Sequence, residues 1–163
     1  FQTRHGSAAL LRALDAAGLD ALVRHTEPGA TFSHFTCEEL RADSCTLELG
    51  YARRFGENDL SSLDSVDSML RALIGDAPLP VRAGNPMRYF RVNRSLIKHS
   101  ELLCFHLDAD VPNFTPLPAG TLLGELPGEC WRVEHGTEWI LFPNPNVTVG
   151  LRAGLMLVEE TGT

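Results

Sequence analysis

The sequence predicts an α/β segment followed by a small all-β domain, and three observations carry that prediction. Over residues 1–74, helix-spaced apolar residues alternate with short strand-like runs, the pattern of helices packed on a mostly parallel sheet. The stretch "GDAPLPVRAGNP", residues 75–86, holds three prolines and two glycines and has no periodic apolar face, so it reads as a linker. Beyond it, residues 87–163 break into short β-rich runs separated by Gly, Pro and Asn turns, as in a small antiparallel sandwich or barrel.

The elements follow in order. Leu10, Leu11, Leu14 and Ala17 recur at helical spacing and stop at Gly18, which predicts a helix over Ser7–Ala17. "LDALVRH" is a short apolar strand ending in His25, and "TEPGATFSHF" carries the turn formers of a loop. "CEELRAD" fits a short helix or turn, and Cys45–Leu49 a second strand. Asn58 or Asp59 can cap a second helix, with Leu60, Leu63, Val66, Leu70 and Leu73 on its apolar face and Gly75 at its end. In the second half, "MRYFRVNRSLI", "LLCFHLDA", "TLLGEL", "CWRVE", "EWILF" and "GLRAGLMLVEE" read as strands, with "VPNFTPLPAGT" a loop between two of them.

With 163 residues, 44% of them hydrophobic, the chain can build one ordinary core or two small ones. A formal charge of −7, with no basic stripe, argues against a nucleic-acid partner, because such binding neutralises phosphates with Lys and Arg. No apolar run approaches the ~20 residues of a membrane span, and the N-terminus has no signal-peptide pattern, so the expected setting is cytoplasmic. Cys37, Cys45, Cys104 and Cys130 have no paired spacing and are expected to be free, buried thiols in a reducing compartment. The start at Phe1 suggests a piece of a longer protein.

The most suggestive stretch is "CTLELG", residues 45–50. On a strand, Thr46 and Glu48 would share one face while Cys45, Leu47 and Leu49 share the other. Glu48 would then lie near the carboxyl end of a strand, where open α/β sheets bind ligands, as a candidate general base. The plainer alternatives are an ion pair with Arg41, Arg53 or Arg54, or an exposed edge. In the loop before it, His34 could bind a substrate carboxylate and Ser33 could donate to it, although either could equally satisfy loop backbone groups. Asn144, in "FPNPN", is a turn residue that could also reach a neighbouring site. No G-x-S-x-G, Walker or G-x-G-x-x-G motif occurs, nor H-E-x-x-H, which leaves serine hydrolase, P-loop and dinucleotide readings without a motif.

The stretch "HTEPGATFSHFTCEELRADSCTLELGYARRFGENDLSSL", with "RYFRVNRSLIKHS", "FTPLPAGTLLGE", "WILFPNP" and "VGLRAGLML", closely resembles the succinylglutamate desuccinylase/aspartoacylase family. The resemblance implies a zinc-dependent amidohydrolase with a carboxypeptidase-like α/β catalytic domain and a smaller β-rich C-terminal domain. It further implies hydrolysis of N-succinyl-L-glutamate to succinate and L-glutamate, the last step of the arginine succinyltransferase route of arginine breakdown. The family's base, the Glu of "ELG", falls on Glu48. Its zinc ligands, an H-x-x-E stretch and an Asp-Leu-His stretch, are expected to precede this region. No ligand role is therefore carried onto His5 or any other residue here, and the chain alone is expected to be inactive. The alternatives are a deacylase for another N-acyl amino acid, such as N-acetylaspartate, or a non-catalytic binding module. Half a sheet would leave an uncovered edge, so self-association is expected.

Overall fold

The computed structural model describes residues 6–27, 31–50, 53–108 and 110–160. It divides into two compact units, Phe1–Tyr89 and Phe90–Thr163.

The first unit opens with α1 (Ala8–Ala16). Ser7 caps it by accepting from the Leu10 N–H at 3.1 Å, and Gly18 follows it at φ +73°, a backbone region that glycine enters without steric cost. β1 (Ala21–Arg24) follows. α2 (Phe32–Leu40) occupies ground that the sequence suggested was partly loop. Its N-cap is Thr31, whose Oγ1 accepts from the His34 N–H at 3.2 Å, and it ends at Arg41, which takes the left-handed conformation. A 3-10 turn (Ser61–Leu63), begun by an Asp59 carboxylate that accepts from the Ser61 N–H, leads into α3 (Asp64–Ile74).

Two apolar clusters hold this unit together. Ala13 of α1 and its C-cap Ala17 meet Val66 and Met69 of α3, where small residues on one side admit larger ones on the other. Leu14 joins Leu22 of β1 and Met87, with Cys45 and Leu47 packed alongside. The buried face of α3 is therefore Val66, Met69 and Ala72, and the expected leucine face is corrected: Leu60, Leu70 and Leu73 are exposed. Leucine spacing alone misled because the face is chosen by what α1 presents, an alanine surface.

The expected strand at Cys45–Leu49 is also corrected. Residues 42–49 carry no regular secondary structure, and no ladder forms along them; a strand needs a neighbour's N–H and C=O groups about 4.8 Å away. The linker is not a loose tether either. Arg82 donates from Nη1 to the Asp15 carbonyl (3.2 Å) and from Nη2 to the Leu19 carbonyl (3.1 Å), and its Nη1 lies 3.4 Å from the Asp15 carboxylate. This arginine pins the segment after α3 to the end of α1.

The second unit is a sandwich. β2 (Arg88–Ile97), β8 (Arg152–Glu160), β7 (Thr137–Leu141) and β4 (Thr115–Pro118) lie side by side in that order. β3 (Cys104–Phe105), β5 (Leu122–Leu126) and β6 (Glu129–Arg132) form the second sheet. Leu96, Leu117, Ile140 and Met156 from the first sheet meet Leu123, Leu126 and Trp131 from the second in one core. Alternation explains the sorting: Leu103, Phe105 and Leu107 pack against that core, while Cys104, His106 and Asp108 point to solvent. Gly124 sits opposite Trp131, and a Cβ there would lie 3.2 Å from the indole ring.

β4, "TPLP", was hidden in the sequence by its two prolines. It is an edge strand paired to β7 alone, the position in which a sheet tolerates proline. Among the cysteines, all four are free as expected, but Cys104 and Cys130 are exposed, not buried, because both face outward from the smaller sheet.

Candidate active site

The segment carrying Glu48 lacks a strand's hydrogen-bond ladder, so side chains hold it in place. At its start, the Asp43 carboxylate accepts from the Ser7 backbone N–H (3.1 Å) and from the Ser7 hydroxyl. Both bonds favour the charged form, and the Asp43 pKa is lowered by the hydroxyl bond first and the backbone bond second. Next, Ser44 Oγ lies 2.5 Å from Thr36 Oγ1 on α2, and the Thr36 hydroxyl donates to the Ser33 carbonyl at 3.1 Å. Then Cys45 and Leu47 seat their side chains among the core residues, Leu47 touching both clusters.

The period-2 alternation then turns Thr46 and Glu48 outward. Glu48 is exposed, and among the described residues no hydrogen bond or ion pair engages its carboxylate. The puzzle of a charge between two leucines resolves simply. The carboxylate is not buried, so no desolvation penalty arises, and Arg41, Arg53 and Arg54 do not pair with it.

Ser33 and His34 lie in the first turn of α2, both half-buried, not in an open loop. Ser33 Oγ is 3.2 Å from Thr31 Oγ1, and the His34 backbone is fixed by the cap. Through Thr36 and Ser44 the structure ties this turn to the segment bearing Glu48. Asn144 belongs to the second unit, where its backbone N–H donates to the Ala153 carbonyl (2.8 Å) and its Oδ1 accepts from the Asn146 N–H (3.0 Å). His25, at the end of β1, is buried with Nε2 3.3 Å from a Glu27 carboxylate oxygen.

Sequence reasoning missed Asp43, Thr36 and Ser44. Hydroxyl and carboxylate pins of this kind have no spacing signature.

For a metal the fit is poor: among the described residues, no three His, Cys, Asp or Glu side chains are placed to hold an ion. One H-x-x-E spacing exists, His135 to Glu138, but it makes no metal centre. Glu138 is buried and its carboxylate is taken by Asn93 Nδ2 (2.5 Å) and Arg94 Nη2 (2.9 Å). The described residues do not constitute a zinc site.

Residues 2–74 match the succinylglutamate desuccinylase/aspartoacylase catalytic domain, and residues 85–160 match the AstE/AspA barrel-sandwich hybrid domain. The chain belongs to the succinylglutamate desuccinylase/aspartoacylase family. It is 58% identical over 159 residues to a succinylglutamate desuccinylase of Serratia proteamaculans, and that alignment covers 98% of this chain and 49% of the relative. The solved succinylglutamate desuccinylase structure of Vibrio cholerae superposes with a TM-score of 0.88 at 32% identity, over 96% of this chain and 46% of that one. That of Vibrio parahaemolyticus gives 0.86 at 35% identity, over 98% and 47%. The chain thus spans about half the length of the curated relatives it matches.

Proposed function

We propose that this chain supplies the general base and part of the substrate-binding surface of an enzyme that hydrolyses N-succinyl-L-glutamate to succinate and L-glutamate. The observation that carries the reading is Glu48: exposed, without a partner among the described residues, and carried on a segment that is tied to α2 and seated in the core just before it, in a chain of the succinylglutamate desuccinylase/aspartoacylase family. A carboxylate so held can take a proton from a water molecule as the water oxygen adds to the amide carbonyl carbon. When the C–N bond breaks, the same carboxyl group returns that proton to the leaving amine. Ser33 and His34 supply donors for the substrate's carboxylates from the first turn of α2, where helix N-terminal N–H groups also favour negative charge.

The reading extends to a carboxypeptidase-like catalytic fold, a zinc ion held by side chains outside this chain, a cytoplasmic setting and a place in arginine breakdown. Among the described residues no helix is long and apolar enough to cross a membrane. Self-association through an uncovered sheet edge is part of the same proposal, and light scattering over a concentration series tests it.

The test of activity is a chimera joining this chain to the portion of the Serratia protein that it does not cover. N-succinylglutamate turnover that falls by about 10²–10⁴-fold with Glu48→Gln supports the base role. Undiminished turnover in that variant refutes it. The family model pairs two activities, so N-acetylaspartate is the second substrate to assay. Preferential turnover of it would replace the substrate assignment while leaving the base in place.

A further inference from the structure

The side chain of Thr36 bridges two parts of the unit. Its hydroxyl donates to the Ser33 carbonyl at 3.1 Å, and its Oγ1 lies 2.5 Å from Ser44 Oγ, a contact in which either hydroxyl can be the donor, since Ser44 Oγ also lies 3.5 Å from the Ala42 carbonyl. The two hydroxyls link the Ser33 carbonyl to the segment that carries Glu48. One end lies in the first turn of α2, beside Ser33 and His34. The other lies four residues before Glu48, on a segment with no ladder to hold it.

We propose that Thr36 is a positioning residue, which through Ser44 sets the Glu48 carboxylate relative to Ser33 and His34. This inference rests on the base role assigned to Glu48 above. Asp43 anchors the start of the segment to α1 and Leu47 anchors its middle in the core, but neither bears on α2. The Thr36–Ser44 pair, together with the Ala42 N–H that donates to the Thr36 carbonyl at 3.1 Å, relates the base to the substrate donors, and it is the side-chain part of that link. Displacing a reacting group by ~1 Å can cost ~10²-fold in rate, so loss of this link registers in kcat.

Two measurements decide the matter. In the 163-residue chain, Thr36→Val keeps the branched shape and removes both bonds. The half-buried Cys45, next to Ser44, then reports whether the segment has loosened. Its rate of thiol alkylation, read by peptide mass spectrometry, is expected to rise about fivefold or more, with Cys104 and Cys130 of the other unit unchanged. A Cys45 rate within about twofold of the parent overturns the proposal.

In the chimera with the remaining Serratia portion, Thr36→Val is expected to lower kcat by about 10- to 100-fold with KM changed less than threefold. Thr36→Ser restores kcat to within about threefold, and Ser44→Ala alone reproduces the Thr36→Val loss. If Glu48→Gln abolishes turnover while Thr36→Val leaves kcat intact, the positioning role fails and the base assignment stands. If Glu48→Gln leaves turnover intact, the base assignment fails instead, and the positioning role falls with it.

Discussion

Glu138 is the most exacting test of how the β unit is held together. Its side chain is 5% exposed, and its two carboxylate oxygens accept from Asn93 Nδ2 at 2.5 Å and from Arg94 Nη2 at 2.9 Å. Arg94 also donates to the Arg132 carbonyl at 2.6 Å, and its Nε is buried without a partner. Glu138→Ala removes two hydrogen bonds to a charged group, each worth roughly 1.5–3 kcal/mol, and strands two donors. Breaking a fully buried ion pair costs about 3–5 kcal/mol, but Arg94 is 32% exposed and can recruit water. The expected loss is therefore about 2–4 kcal/mol. Glu138→Gln keeps the shape and one acceptor and should lose about 1–2 kcal/mol. The chain's two tryptophans, Trp131 and Trp139, both lie in this unit, so fluorescence-monitored urea unfolding reports it directly. The midpoint should fall with the slope unchanged. If Glu138→Ala shifts stability by less than about 0.5 kcal/mol, as a surface substitution would, then the network does not support the sandwich.

Other expectations follow from the same reasoning. Gly124→Ala would push a methyl to 3.1 Å from the Cys104 carbonyl and 3.2 Å from Trp131, and should destabilise the β unit by about 1–3 kcal/mol in the same fluorescence assay. Arg82→Ala removes the three Arg82 contacts to Asp15 and Leu19; limited proteolysis should then cut within residues 75–86, which the parent chain resists. The lowered Asp43 pKa has a definite sign. Its stabilisation is fully present above the ordinary carboxylate value of 3.8 and is lost as pH falls through the depressed folded value. The stability gap between the parent and Asp43→Asn, measured by chemical denaturation at several pH values, should therefore close below about pH 4.

Where a local rule decides the structure, the sequence can be read well. Ser7 and Gly18 bracket α1 because a cap and a left-handed residue act within one turn. Six of the seven strands of the β unit coincide with apolar, β-branched runs between turn formers. Where the deciding partner is distant, reading fails. The face of α3 depends on the alanines it packs against, and a strand at Cys45–Leu49 would depend on neighbours for a ladder. β4 is invisible to propensity because only its place at the edge makes its prolines acceptable. Of the candidate site, Glu48 was reached through the resemblance and through the alternation that turns it outward. The pins at Asp43, Ser44 and Thr36 join residues distant in sequence or in separate elements, and nothing in the one-dimensional pattern announces them.

The two prolines of β4 have a consequence for the molecule as a solute. An antiparallel strand sends alternate N–H groups to its partner and to the open side. If Leu117 bonds to β7, Pro116 and Pro118 occupy the open-side positions. Those are the donors an incoming strand from another molecule would need, and neither residue has one. A second β unit meeting this border finds carbonyls but no hydrogens, so the sheet has no template there for sheet-to-sheet polymerisation. A short, donor-free border of this kind should keep the sandwich from seeding aggregates through this edge at high concentration, a protection written in the same two residues that hid the strand from view.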